Sequence, residues 1–198
     1  MTNQLCISTT FLDPLFHGQG DEGPEWPPSP MRLFQAMLAG SRTGCRDSRW
    51  TEAKAEAFRW LESRQPPIIL APSAQAATGH VTFVPNNDSD RRERQDRLTS
   101  KTVIPHLLLD GDTVHYLWPI ETEVESSHAE VLCREARNLI ALGWGVDQVA
   151  GNGRILSDTE AHALLGNRWC AWTGSLPGTQ SSRVPTVGSL KDLEEVHH

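Results

Sequence analysis

Residues 103–143, VIPHLLLDGDTVHYLWPIETEVESSHAEVLCREARNLIALG, are the stretch whose reading decides the fold. Val103–Leu109 and Val114–Ile120 are rich in strand-forming residues and are divided by Asp110-Gly111-Asp112, a turn sequence. They read as two strands joined by a turn. Ser127-x-x-Glu130 then has the spacing of a capping box, in which both side chains satisfy free backbone N–H groups at a helix start. Ala129, Leu132, Ala136, Leu139 and Ile140 recur at helical spacing and mark a buried face, and Gly143 suits the helix stop. The unit is strand, strand, helix.

Working outward, Leu5, Ile7, Thr9 and Phe11 alternate with Cys6, Ser8 and Thr10, the pattern of a first strand. Ser29-Pro30 opens a helix running to about Ala39, with serine as cap and proline at the first helical position. Leu33, Phe34, Met37 and Leu38 form its buried face. A second helix spans Thr51 to about Arg64, with Ala53, Ala57, Trp60 and Leu61 on one side. Ile68–Leu70 and Val81–Val84 read as short strands. Val146–Ala150 and Arg154–Leu156 are strand-like around Gly151-Asn152-Gly153, read as a tight turn. Reduced to its main elements the order is βαββαβ, an α+β class of ferredoxin-like (RRM-like) type. The polar stretch from Pro85 to about Thr102 has no apolar periodicity and is expected to be a mobile, projecting loop or hairpin. Residues 1–173 read as the domain. Residues 174–198 read as an exit linker, rich at first in Gly, Pro, Ser and Thr, with a closing Glu194–His198 too short to fold alone.

Composition bounds the function. The 198 residues suffice for one large or two small domains, with 38% apolar and 22% charged residues, as in soluble proteins. No apolar run approaches the roughly 20 residues of a membrane span, and the N-terminus lacks a basic-then-apolar leader. Cys6, Cys45, Cys133 and Cys170 are scattered without a CxxC pair, which fits reduced, buried thiols in the cytoplasm rather than a zinc or redox site. A net charge of −7 argues against an indiscriminate nucleic-acid binder. The charge is uneven, however. Residues 91–101 carry Arg91, Arg92, Arg94, Arg97 and Lys101 against Glu93 and Asp96, a local balance of +3. Glu121, Glu123, Glu125 and Glu130 form an acidic block beyond. A basic segment on an acidic body can track phosphates locally, although a solvated loop would look the same.

Candidate chemistry is sparse. His17 lies near Asp21, Glu22 and Glu25, but the spacing matches no established ligand motif, and solvated loop carboxylates are commoner. His106 and His115 fall in predicted strands, where packed histidines are the rule, and His128 falls on an exposed helix start. Tyr116 is the only tyrosine. No GxSxG, HExxH or Walker-type loop is present. Gly151-Asn152-Gly153-Arg154 could cradle a phosphate, but a turn explains it more simply. No catalytic residue, metal ligand or cofactor is assigned. RNA binding uses the unusual features better: Arg32 at a helix start that favours an anion, a loop bearing Gly18 and Gly20, and the arginine-rich insertion ending at Lys101. Trp26 could stack a base, but large-area burial makes a structural anchor the commoner role. Trp60, Trp144, Trp169 and Trp172 read as core or interface residues. The aromatic signature of an RNA-reading sheet is absent, so sheet-face recognition is not expected.

Several segments carry a resemblance. These are Glu25-Trp26-Pro27-Pro28-Ser29-Pro30-x-Arg32-Leu33-Phe34-x-Ala36, Ala57-x-x-Trp60-Leu61-Glu62, Pro66-Pro67-Ile68-Ile69-Leu70-Ala71-Pro72, Val84-Pro85-Asn86-Asn87, Leu142-Gly143-Trp144-Gly145-Val146-Asp147 and Arg183-Val184-Pro185-Thr186-Val187-Gly188-Ser189-Leu190. In this order, over nearly the whole chain, they resemble the Cas-five-type subunit of type I-G (formerly I-U) CRISPR Cascade complexes. There the unit is the N-terminal half of a fusion with a Cas-six-type guide-RNA endonuclease. The resemblance implies a RAMP domain that binds and caps the 5′ handle of crRNA in antiviral interference. It also implies a thumb, here about residues 85–102, against the first backbone subunit. The large subunit and the Cas-six-type half would lie nearby, and target DNA would be met indirectly. It implies that this segment is not itself an enzyme and that more protein normally follows. The 198 residues would then be a fragment, a processed half or a gene lacking the second half. The alternative is a metal-independent endoribonuclease processing pre-crRNA, which would depend on one of His17, His106, His115 or Tyr116. A protein-interaction module without RNA is a third reading.

Overall fold

Strand β1 (Asn3–Phe11) sends Leu5, Ile7, Thr9 and Phe11 to one face, all buried, and Cys6, Ser8 and Thr10 to the other. The computed structural model describes residues 3–20, 23–43, 49–85, 98–171 and 181–196. β1 pairs antiparallel with β8 (Thr113–Ile120) on one side, from Asn3 opposite Ile120 to Thr10 opposite Thr113. On the other side it pairs antiparallel with β9 (Val149–Ser157). β3 (Ile68–Ala71) adds to β8, and β10 (Asn167–Trp169) adds to β3, so the sheet runs β10-β3-β8-β1-β9 with every pair antiparallel.

Helices α1 (Pro30–Thr43), α2 (Glu52–Glu62) and α3 (Glu123–Glu135) supply Leu33, Phe34, Met37, Phe58, Leu61 and Leu132 to the face of Leu5, Ile7, Val114 and Tyr116, forming the main core. Burial of these apolar faces, at about 25 cal/mol per Å², is the principal favourable term. On the other face Cys6, Leu70, Leu117 and Leu156 are met by Ala161 of α4 (Asp158–His162). The class is α+β with antiparallel sheets. Among the described residues no helix is long and apolar enough to cross a membrane.

The two strands expected on either side of Asp110-Gly111-Asp112 do not pair with each other. Val103 ends β6 (Leu98–Val103), which pairs with β5 (His80–Pro85) as a separate two-stranded hairpin. β7 (His106–Leu108) joins a three-stranded sheet, between β2 (Leu15–Phe16) and β4 (Ala74–Ala76). Pro105, which has no backbone N–H to donate to a ladder, sits between the two.

α3 also starts earlier than expected. Thr122, not Ser127, is the cap: its side chain accepts from the Glu125 backbone N–H at 3.2 Å, while Glu125 accepts from the Glu121 N–H at 2.7 Å. Ser127 instead donates within the helix, to the Glu123 carbonyl. The helix ends in a tight turn at Ala136–Asn138, well short of Gly143. Gly151-Asn152-Gly153 is not a turn but the middle of β9. A Cβ at Gly151 would overlap the Ala136 carbonyl, and one at Gly153 would overlap the Cys133 backbone. The glycines let α3 and its final turn lie directly on the strand.

Residues 174–198, read as an exit linker, contain a docked helix, α5 (Ser189–Val196). Buried Glu62 of α2 accepts from the Gly188 and Leu190 N–H groups at 3.1 and 2.7 Å, satisfying the helix start, and Leu190 enters the core.

Candidate functional site

The chain after β2 brings His17 against Asp147, 130 residues away. Asp147 is 1% exposed and accepts from three groups: the His17 backbone N–H at 3.0 Å, His17 Nδ1 at 2.6 Å and the Trp144 N–H at 2.7 Å. A carboxylate only accepts, so Nδ1 carries the proton of this bond and Nε2 is left outside it. Gly143, at φ +123°, makes this closure possible. A Cβ there would overlap the Asp147 carboxylate and the Phe16 ring.

Around this pair stand groups from the hairpin. His17 stacks on Trp144 with centroids 6.1 Å apart and an interplanar angle of 24°. His80, the first residue of β5, meets His17 edge-on at 6.1 Å. Lys101 of β6 places Nζ 5.2 Å from the Trp144 ring centroid. A cation, an indole face and two imidazoles therefore gather at the root of the hairpin. This set can hold a phosphate and stack a base. Of the carboxylates expected near His17, Asp21 and Glu22 lie outside the described residues, and Glu25 is engaged elsewhere. Sequence proximity missed Asp147, although it closes the Leu142–Asp147 motif.

The loop from His17 to Ser29 is occupied with itself. Glu25 is buried, and accepts from the Ser29 N–H and from Arg32 Nε, both at 2.8 Å. Arg32 also donates to the Gln19 carbonyl at 2.9 Å. The anion expected at this helix start is thus the protein's own Glu25, so Arg32 is committed to the loop. Trp26 is 6% exposed, edge-on to Phe16 at 5.6 Å, and donates its indole N–H to the Pro72 carbonyl at 3.1 Å. It holds the anchor position. Gly18 leaves no room for a Cβ against Phe16, whereas Gly20 has room and donates its N–H to the Gly23 carbonyl. Lys101 lies at the hairpin root. Arg91, Arg92, Arg94 and Arg97 lie outside the described residues, as does Trp172.

The remaining titratable candidates are dispersed. Tyr116 is fully buried and donates to the Pro28 carbonyl at 2.8 Å; burial drives its pKa well above the ordinary phenol value. His115 lies on the opposite sheet face, with Nδ1 2.7 Å from Ser8 Oγ, and burial, then nearby Arg154, lowers its pKa. His106 sits in β7, its pKa lowered by burial. Burial pushes the Cys133 thiol up to about 11, so it is not a poised nucleophile.

Comparison with known proteins gives three findings. No curated protein matches the chain. A crystal structure of a CRISPR protein from Archaeoglobus fulgidus is similar at a TM-score of 0.42 and 12% identity, over 78% of this chain and 64% of that one. This chain therefore spans under two thirds of that protein's length. The family model described as CRISPR-associated protein, GSU0054 family, matches residues 8–198. Nearly every segment of the fold and the whole His17–Asp147 site fall within the match, and the chain belongs to the GSU0054 family of CRISPR-associated proteins.

Proposed function

We propose that this chain is the Cas-five-type subunit of a type I-G Cascade complex and that it holds the 5′ handle of crRNA. The observation that carries the reading is the convergence of His17, Trp144 and Lys101 at the root of the β5–β6 hairpin. In the sequence, the segment joining those strands bears Arg91, Arg92, Arg94 and Arg97. Stacking surfaces at the root and arginines beyond it suit single-stranded RNA. Arg32 and Trp26 act here by fixing the loop that carries Gly18 and Gly20. The ferredoxin-like reading rests on the order β3-β8-β1-β9, in which the strands of a βαββαβ unit stand as second, third, first and fourth. The thumb reading rests on the same hairpin, whose Val81 and Phe83 are exposed and share one face, a surface suited to a neighbouring subunit.

On this reading the chain is not the endonuclease, and cleavage belongs to a Cas-six-type half. One observation favours the alternative, a metal-independent endoribonuclease: the oriented His17–Asp147 pair with His80 beside it. Co-expression with neighbouring CRISPR subunits and a repeat–spacer array, followed by sequencing of co-purified RNA, tests the main reading. Guides sharing one protected, repeat-derived 5′ end are expected. Complexes without enriched guide RNA would overturn it. Repeat cleavage by the isolated chain, abolished in H17A, would favour the alternative.

A further inference from the structure

A cleft of about 360 Å³ opens where β10 meets the three-stranded sheet. Trp26 and His106 line it with their rings 6.2 Å apart, and Trp169, 40% exposed, lines it from the edge strand. Among the described residues its lining carries no charged side chain. Burial lowers the His106 pKa, so its imidazole is neutral at neutral pH. Its Nδ1 is enclosed and has no hydrogen-bond partner among the described residues. Being enclosed, Nδ1 cannot itself meet a ligand in the cleft, so the ring's hydrogen-bonding edge there is its other nitrogen, Nε2. Asn167 offers a second polar position. Its amide N–H₂ donates to Ser73 Oγ at 3.0 Å, and Ser73 is itself held by Asp110, which leaves the Asn167 carbonyl oxygen as an acceptor.

The cleft therefore asks for a flat, uncharged ring with a hydrogen-bonding edge. An aliphatic side chain would leave His106 Nε2 and the Asn167 oxygen without a partner, and an ion would find no counter-charge in the lining. The volume lies at the small end of ligand pockets, which run from about 300 Å³ upward, and suits one ring system. The cleft is linked to the hairpin-root site through one ladder pair. His106 is the ladder partner of Phe16, and Phe16 directly precedes His17. We propose that this cleft takes one unstacked nucleobase of the RNA chain held at the hairpin root. The inference rests on the RNA-binding reading above.

The test uses the full chain and a 12-nucleotide oligouridine carrying one 5-iodouridine, with W169A, W169F and H106F variants checked for folding by thermal melts. W169A is expected to weaken binding by about 5- to 150-fold, the range of one base–aromatic stack, with an unchanged salt slope. W169F should restore most of the affinity. H106F keeps a ring but removes the polar edge, and should weaken binding while leaving the melt near wild type. Photocrosslinks should fall on Trp169 or His106. Wild-type affinity in W169A, with crosslinks elsewhere, overturns the cleft while leaving the RNA reading standing. If that variant also fails to pull down neighbouring subunits, the cleft takes a protein side chain instead. No RNA binding by the wild-type chain overturns both.

Discussion

Replacing Asp147 with asparagine changes one atom of a buried carboxylate and removes its charge. Oδ1 receives two groups of His17 and Oδ2 receives the Trp144 N–H. If the asparagine oxygen stays towards His17, its new N–H₂ faces the Trp144 N–H, donor against donor, at a position now spanned by a 2.7 Å bond. If the amide flips, the clash moves to the His17 backbone N–H. Either way one buried donor is orphaned, at about 1–3 kcal/mol, and the surviving bonds lose charge assistance worth roughly another 1 kcal/mol. The expected loss is about 2–4 kcal/mol, a large part of a typical 5–15 kcal/mol total. With a urea slope of about 2 kcal/mol/M, the unfolding midpoint should fall by about 1–2 M. Nitrogen-15 NMR of His17 gives an independent readout, because in the wild type a carboxylate holds the proton on Nδ1, and D147N replaces it with a weaker amide acceptor or, if the amide flips, with a donor. A midpoint shift below about 0.3 M together with an unchanged tautomer would refute the claim that Asp147 locks the loop.

Four further outcomes are expected. R32A strands the buried Glu25 carboxylate, so stability should fall by about 3–5 kcal/mol in urea unfolding; an RNA salt slope that also changes, per folded molecule, would make Arg32 a phosphate ligand after all. G153A forces a Cβ into the Cys133 backbone and should cost about 1–3 kcal/mol, seen as a thermal midpoint lowered by about 2–4 °C per kcal/mol; an unchanged midpoint would mean that α3 yields freely. His115 has a folded-state pKa below its unfolded value of about 6.5, so its stabilising neutral state is complete above that pH and is lost as pH falls through the folded value; stability should drop from pH 7 to pH 5, less steeply in H115Q, and parallel curves would exclude His115. Replacing Arg91, Arg92, Arg94 and Arg97 with glutamine should flatten the salt dependence of RNA binding by roughly 0.7 for each phosphate no longer neutralised, whereas an intact slope would assign the segment to a protein partner.

What the sequence made legible was local. Alternation in Leu5–Phe11 marked β1, Ser29-Pro30 marked the start of α1, and the Ser29 hydroxyl does accept from the Arg32 N–H, at 3.3 Å. What failed was choice among equivalent local signals and pairing at a distance. Thr122-x-x-Glu125 and Ser127-x-x-Glu130 have the same spacing. The first prevails because β8 ends at Ile120 and Glu125 is fixed at 2.6 Å by Arg64 of the loop after α2, 61 residues away in the chain. Gly-Asn-Gly signals a turn where nothing packs on it, and a close helix–strand approach where α3 does. His17 read as solvated because its partner lies on another loop. Arg32 shows a subtler limit: the anion expected at the helix start exists, but is supplied seven residues earlier by Glu25.

These commitments narrow what a ligand can meet. Along the loop from Phe16 to Arg32, Phe16 and Trp26 are packed, while Glu25 and Arg32 are paired with each other. Among the described residues, the groups left facing outward include the backbone near Gly20 and the exposed edge of His17, together with Trp144 and Lys101 from the neighbouring segments. A chain of net charge −7 repels nucleic acid in general, so on the proposed RNA-binding reading contact must concentrate where the local sign reverses. The sequence places that reversal in the insertion between β5 and β6, and Lys101 carries it down to the hairpin root. The same hairpin leaves Phe83 66% exposed, which water alone does not favour. On the proposed reading one element thus joins two partners: apolar side chains turned to a protein neighbour, and cationic and aromatic ones turned to RNA. Removing the first should break assembly without touching the salt slope, and removing the second should do the reverse.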